Sequence, residues 1–285
     1  MKILLTGVNG QVGWELRRTL ATLGDVVAPT RAQLDLTDAA ALRSFVHEVR
    51  PDLIVNPAAY TAVDKAEAEP ELAHTINAIA PAVMAEAASQ INAAMVHYST
   101  DYVFDGSKPG AYLESDATNP LSVYGRTKLE GEQAIIAAGI PHLILRTSWV
   151  YGLRGGNFLL TMQRLFKERD SLNVVNDQFG APTWSRMIAE ASAQIIAQRP
   201  FPDNSGIYNL TSAGNISWHD FAQAILARTT LPEGKQVALG AIPAAQYPTA
   251  ATRPVNSVLS GSKVQKTFGI CMPDWEVALD RCVES

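Results

Sequence analysis

Short apolar runs punctuate the first half of the chain. They are Lys2-Ile3-Leu4-Leu5-Thr6, Asp25 to Pro29, Leu53-Ile54-Val55-Asn56, Ala94 to Tyr98 and His142 to Leu145. Each is too short for a helix and shows little polar alternation, the pattern of a strand covered on both faces. Helix-like segments lie between them: Trp14 to Leu23, about Asp38 to Val49, Glu71 to Ser89, and the stretch holding Tyr124 and Lys128. The third is long and Ala-rich, with Pro81 inside it. Strand and helix alternate without repeats, which predicts βαβ units and an α/β fold with a doubly wound parallel sheet.

After about residue 150 the rhythm loosens. Helical faces recur at Phe158 to Arg169 and Ile188 to Gln198, and Ser217 reads as a cap for a helix over His219 to Ala227. Leu172 to Val175 and Ile207 to Leu210 read as short strands. Prolines and glycines multiply between 232 and 254. The expected organisation is a dinucleotide-binding domain over residues 1–150, rejoined by later segments at roughly 171–200. A smaller, discontinuous α/β substrate-binding domain takes most of 151–285.

The totals fit a globular chain with a sizeable core: 285 residues, 47% hydrophobic and 18% charged. A formal charge of −5 with no basic cluster argues against nucleic acid or an anionic membrane as partner. Cys271 and Cys282 offer neither a metal spacing nor a disulfide framework. The five histidines form no pair at i, i+4. No secretory leader is read at Met1, and no apolar run approaches the ~20 residues that span a bilayer. These features predict a soluble protein of the reducing cytoplasm.

The first strand runs into Gly7-Val8-Asn9-Gly10-Gln11-Val12-Gly13 and then a helix. Strand, glycine-rich turn and helix form a phosphate cradle. The glycines permit the turn, the approach of a pyrophosphate and close packing of helix on strand, and free N–H groups at the helix start face the anion. The spacing is G-x-x-G-x-x-G rather than the commoner G-x-G-x-x-G. Its place after the first strand predicts dinucleotide binding in a Rossmann-like sheet. The second strand ends Pro29-Thr30-Arg31, where a carboxylate would select an unmodified ribose. A guanidinium there suits a 2′-phosphate and favours NADPH over NADH; an exposed structural arginine is the alternative. Asp35-Leu36 is placed to line the adenine. Asn56-Pro57-Ala58-Ala59-Tyr60-Thr61 follows the third strand, at the sheet edge where open parallel sheets bind ligands.

Chemistry concentrates in residues 99 to 128. Tyr124 and Lys128 stand four apart, one turn on one helix face. An ammonium beside a phenol favours the phenolate, which predicts a Tyr124 pKa drawn from ~10 towards neutrality. Thr100 ends the fourth apolar run and offers a hydroxyl to the same reacting oxygen. Trp149 lies one loop beyond the fifth strand, where an indole covers a sugar ring or simply packs. Arg253, in Arg253-Pro254-x-Asn256-Ser257, is a candidate for a diphosphate or a solvated side chain.

Taken together, Gly7-x-x-Gly10-x-x-Gly13, Asn56-x-Ala58-Ala59, Ser99-Thr100 and Tyr124-x-x-x-Lys128 resemble the extended short-chain dehydrogenase/reductase family. Ser99-Thr100-Asp101-Tyr102-Val103-Phe104-Asp105-Gly106, Arg146-Thr147-Ser148-Trp149-Val150-Tyr151-Gly152 and Asp177-Gln178-x-Gly180-x-Pro182-Thr183 narrow the likeness to its sugar-nucleotide reductases. The resemblance implies reduction of the C4 keto group of dTDP-4-dehydro-β-L-rhamnose to dTDP-β-L-rhamnose. Tyr124 would donate the proton, Lys128 would tune it and bind the nicotinamide ribose, and Thr100 would hold the same oxygen. Cofactor contacts fall on Gly7, Asn9, Gly10, Gln11, Val12, Arg31, Asp35, Leu36, Ala58, Ala59, Tyr60, Tyr124 and Lys128. Substrate contacts fall on Thr100, Asp101, Tyr102, Phe104, Trp149, Asn157 and Arg253. The dTDP-sugar is the expected partner, with the protein a monomer or homodimer. Some members dimerise through carboxylates sharing Mg2+. Glu15 matches one such ligand, but Arg186 stands where those members place a glutamate and opposes a cation. Two alternatives stay open: an epimerase or 4,6-dehydratase of the same fold, and a regulatory subunit of methionine adenosyltransferase type. Dehydratases place an acidic pair after the serine/threonine, where Asp101-Tyr102 offers a single carboxylate.

Overall fold

The computed structural model describes residues 1–284. Its first half alternates as the apolar runs require: β1 Lys2–Leu5, α1 Gln11–Leu20, β2 Asp25–Val27, α2 Ala39–Val49 and β3 Leu53–Asn56. Three helical pieces follow, α3 Val63–Ala68, α4 Pro70–His74 and α5 Ala80–Ile91, then β4 Ala94–Thr100, α6 Val123–Ala137 and β5 His142–Thr147. The remainder holds β6 Val150–Tyr151, α7 Phe158–Glu168, β7 Ser171–Val175, β8 Phe179–Gly180, β9 Thr183–Trp184, α8 Ser185–Ala197 and β10 Gly206–Asn209. It closes with β11 Ile216–Ser217, α9 Trp218–Ala227, β12 Ala238–Ile242, α10 Ser262–Phe268 and α11 Trp275–Glu284.

Six strands form the main sheet in the order β10-β5-β4-β3-β1-β2, all parallel. Side chains alternate between its faces. Ile3, Leu5, Val55, Val96 and Leu145 meet Leu16 and Leu20 of α1 and Ile188 and Ile195 of α8. Leu4, Ile54, Met95 and Ile144 meet Leu42 and Val46 of α2, Met84 of α5 and Ile135 of α6. Both faces are therefore covered, which is why the strands read as unbroken apolar runs. The strand order reverses between β1 and β3, and their following loops open the crevice in which such sheets hold ligands.

The segment expected as one helix over Glu71 to Ser89 is interrupted by a π-turn at Thr75–Ile79. Pro81 has no N–H to give the Asn77 carbonyl, and the turn absorbs the mismatch. The interruption turns Asn77 inward. Its side chain accepts from Tyr60 N at 2.8 Å and donates to Tyr60 O and to Thr127 Oγ1 of α6.

The 171–200 segment divides. β7 pairs with β12 in a separate two-stranded sheet, whereas α8 packs on α1; beyond the segment, β10 becomes the edge strand beside β5. Leu172 to Val175 carry no signal that distinguishes a main-sheet strand from a satellite one. A third apolar cluster joins Leu159 and Phe166 of α7, Phe221 and Ile225 of α9 and Leu279 of α11.

Candidate active site

A cavity of about 730 Å³ opens at the C-terminal edge of the sheet. One end is the glycine turn. Gly7 has φ +60, and a Cβ there would come within 2.8 Å of the Ala58 backbone. A Cβ on Gly13 would stand 2.1 Å from the Gly7 carbonyl. Only glycines let β1, α1 and the loop after β3 approach so closely. Helix α1 starts at Gly10 with no side-chain cap and no acidic residue in its first turn. Its N–H groups and dipole are left to an anion, so this end fits the diphosphate of a dinucleotide.

The wall then runs along Asn9, Gln11, Val12, Arg31, Asp35, Leu36, Ala58 and Ala59. The Arg31 side chain is 78% exposed and lies 4.0 Å from Asp35. The guanidinium stands exposed beside the β2 end, and the Asp35 carboxyl is held low by the Thr37 N–H and hydroxyl, with a smaller pull from Arg31.

The other end gathers Thr100, Asp101, Tyr102, Tyr124, Lys128 and Trp149. Ser122 caps α6 through Gly125 N at 3.1 Å, which fixes the first turn carrying Tyr124. Lys128, 1% exposed, reaches across to the sheet. Its Nζ donates to the Tyr98 carbonyl at 2.6 Å and lies 3.2 Å from His97 Nε2. This differs from the expected tuning. Burial pushes the Tyr124 phenol up to about 12; its bond with Thr100 pulls downward and the Asp101 charge pushes upward. Lys128 is turned to the sheet and does not draw the phenol towards neutrality. A phenol so raised keeps its proton at neutral pH, the state in which it can act as a general acid.

Burial also drives Lys128 from the ordinary 10.5 down to about 8, with Glu132 working against that shift. Above the unfolded-state pKa neither form carries the charge and the group is neutral towards stability. As pH falls from there through about 8, the unfolded state gains its proton first and stability is lost. Relative to wild type, Lys128→Met is therefore expected to lose about 2–3 kcal/mol of stability between pH 7 and pH 10. Urea unfolding at both pH values measures this, and a constant difference would refute the buried ammonium.

Asp101, also buried, accepts from Thr100 Oγ1 and Ser148 Oγ, both at 2.9 Å. Burial pushes its carboxyl up to about 6 against hydrogen bonds from Ser257, Ser148 and Thr100. The carboxylate thus fixes Thr100 beneath the phenol. Tyr102 meets Tyr124 edge to face, with centroids 5.9 Å apart.

Four residues expected in the site lie outside the cavity wall. Phe104 is fully buried, stacked on Tyr112 at 4.2 Å and covered by Arg146. Asn157 caps α7 through Leu160 N and ties its amide to Gln11 Oε1 at 3.0 Å. The Tyr60 hydroxyl turns away to Glu69. Arg253 forms a two-pronged pair with Asp64, at 3.1 and 2.6 Å. Other lining residues were not expected as ligand contacts, although Ser99 and Thr147 belong to motifs already noted. Trp218 stacks on Trp149 with centroids 3.3 Å apart. Ser99 and Thr147 bring buried hydroxyls without a partner among the described residues, adjacent to a reacting centre and free for a ligand. Trp218 follows the cap Ser217, but nothing local says that its indole meets Trp149.

At the expected metal position, Glu15 Oε2 lies 3.3 Å from Arg186 Nε and 3.5 Å from Arg18 Nη2. Among the described residues no three His, Cys, Asp or Glu side chains gather to hold a metal ion. No helix among them is long and apolar enough to cross a membrane.

Comparison with known proteins places this site in context. The model of the family described as RmlD substrate binding domain matches residues 1–285. A dTDP-4-dehydrorhamnose reductase of Burkholderia thailandensis is 48% identical, the match covering 99% of this chain and 98% of the relative. The Escherichia coli K12 protein of the same name is 47% identical over 99% and 96%. Among solved structures, a dTDP-4-dehydrorhamnose reductase of Clostridium acetobutylicum superposes with a TM-score of 0.92 at 39% identity, covering 100% and 99% of the two chains. The Bacillus anthracis reductase, solved in complex with NADP, gives 0.91 at 35% over 100% and 99%. A Thermus thermophilus UDP-glucose 4-epimerase at 20% identity shares the fold. With matches running from end to end, the chain belongs to the RmlD substrate binding domain family, that of the dTDP-4-dehydrorhamnose reductases.

Proposed function

We propose that the protein reduces the C4 keto group of dTDP-4-dehydro-β-L-rhamnose to dTDP-β-L-rhamnose, with NADPH as hydride source. The observation that carries this reading is the partly buried Tyr124 phenol bonded to Thr100, in the same cavity as the glycine cradle. The cradle and Arg31 would hold the diphosphate and ribose phosphate of the cofactor, and Lys128 its nicotinamide ribose. When bound, the nicotinamide supplies hydride to a carbonyl carbon. Tyr124 then gives its proton to the carbonyl oxygen as charge develops there. Thr100, its single hydroxyl proton turning from Asp101 to the ligand, would hold that oxygen, and the Lys128 charge favours the transition state. Trp149 and Trp218 wall the sugar side, and Ser99 and Thr147 offer hydroxyls to the bound ligands.

Mixing the protein with NADPH and dTDP-4-dehydrorhamnose and following NADPH absorbance tests the reaction. Steady oxidation is expected, and its absence would sink the proposal. The 2′-phosphate assignment has its own test. Arg31→Ala is expected to lower kcat/KM for NADPH about tenfold, the worth of one charge-assisted contact, while leaving NADH nearly unchanged. Equal losses with both would remove Arg31 from recognition of the phosphate.

Tyr102 after Asp101, in place of a second carboxylate, favours reduction over dehydration. The complete Tyr124, Lys128 and Thr100 set favours a working enzyme over a regulatory subunit. The reading includes work in the cytoplasm as a monomer or a homodimer. Because Arg186 and Arg18 already neutralise Glu15, it does not include a magnesium bridge.

A further inference from the structure

Lys128 does not end a hydrogen-bond path; it begins one. Parallel pairing sets Asn56 of β3 directly beside His97 of β4, both fully buried on the face that α6 covers. His97 Nε2 lies 3.2 Å from Lys128 Nζ. On its other side, Nδ1 lies 3.1 Å from the Asn56 amide. The amide continues to Thr6 Oγ1 at 2.5 Å, and Thr6 lines the cavity at the start of the glycine turn. Four side chains thus join the two ends of the site beneath its floor.

Donor counting leaves this path two self-consistent directions. An ammonium can only donate, so when Lys128 is charged Nε2 accepts and the ring proton sits on Nδ1. Nδ1–H then donates to the Asn56 oxygen, and the Asn56 N–H group donates to Thr6. When Lys128 is a neutral amine the order reverses. Thr6 donates to the Asn56 oxygen, the amide N–H to Nδ1, and Nε2–H to the amine. The second is the order in which the Asn56 amide stands, its Oδ1 accepting from Thr6 Oγ1 and its Nδ2 facing His97 Nδ1; the first requires only that this amide turn over.

We propose that His97 is a positioning residue for Lys128, whose ring tautomer is set by the charge of that lysine and relayed through Asn56 to Thr6. Between the two orders Lys128 loses one proton to the water of the cavity it lines, and the imidazole exchanges its Nδ1 proton for one on Nε2, so the net change is one proton released with the ring neutral in both. Burial and the Lys128 charge both hold His97 well below the ordinary histidine range, which keeps the imidazolium out of the exchange. The charged groups around the pair are Glu132, one turn further on α6, which favours the ammonium, and Arg146 of β5, which binds that carboxylate. On the opposite face of β4 the Tyr98 phenol is raised and bonded to Ser192.

The link to catalysis rests on the reductase reading, but the tautomer does not. Nitrogen-15 NMR of the imidazoles in the protein without substrate tests it directly, with His97→Gln identifying the resonances. The expected spectrum shows the Nδ1–H form below pH 7 and the Nε2–H form above pH 9, with no imidazolium. In Lys128→Met the form is expected to stay the same across that range. A tautomer unchanged from pH 6 to 10 in wild type, or a switch that survives in Lys128→Met, overturns the proposal. In turnover, His97→Leu is expected to lower kcat roughly tenfold, as for one lost buried hydrogen bond, with little change in KM. His97→Gln, which can still accept from Lys128, is expected to recover most of that loss. Equal kcat in the Leu and Gln variants would reduce His97 to packing.

Discussion

Tyr124→Phe is expected to lower kcat for reduction of the 4-keto sugar by a hundredfold to ten-thousandfold, the span of a general acid's contribution. The change removes one oxygen and leaves the ring, its edge contact with Tyr102 and the cap of α6 in place. Binding of the dinucleotide should survive, since the cradle lies at the other end of the cavity. Single-turnover absorbance, with a separate titration of NADPH binding, distinguishes the two effects. Loss of binding in step with turnover would mean that the phenol holds the cofactor rather than delivering a proton. The wild-type profile carries a second signature. A phenol near 12 stays protonated through the neutral range, so the acid should not limit turnover there. Loss of activity towards high pH should instead follow Lys128, near 8.

The next largest expected effect lies beneath the chemistry. Arg146 binds Glu132 with both prongs, at 2.9 and 2.6 Å, and both side chains are 2% exposed or less. Removing one partner leaves a buried charge uncompensated. Arg146→Met is therefore expected to cost about 3–5 kcal/mol in urea unfolding. The double variant Arg146→Met with Glu132→Leu should recover most of that, because an apolar pair of similar volume needs no solvation. If single and double variants unfold alike, the cost comes from lost packing on Phe104, which Arg146 covers at 5.1 Å. The pair also ties α6 to β5, so the site should loosen as stability falls.

The fold could be read where one physical cause acted alone. Strands covered on both faces announce themselves as apolar runs, and β3 falls on Leu53–Asn56 as its run predicts. Caps were legible for the same reason: Ser217 accepts from Asp220 N through its hydroxyl, as its position ahead of α9 suggested. Of the residues that missed the cavity wall, Phe104, Asn157 and Tyr60 sit in segments that do reach it, and Arg253 sits in one that does not. Which side chains of a loop turn inward depends on partners distant in sequence, such as Tyr112 for Phe104 and Asp64 for Arg253. The direction of the Tyr124 shift failed similarly. Spacing on the helix placed Lys128 one turn away, but the Tyr98 carbonyl and His97, contributed by another element, decided where its charge went.

The stacked indoles have an optical consequence. Trp149 follows β5 with φ +46, and Trp218 opens α9, so their rings join the loop after β5 to α9 in the cavity wall. Two parallel indoles at 3.3 Å share their excited states, which gives circular dichroism a paired signal that isolated tryptophans lack. Separation of the two rings by even a ring's thickness would erase it. The protein therefore carries its own gauge of the contact between α9 and the loop after β5, readable without a label and in the same cuvette that follows the dinucleotide.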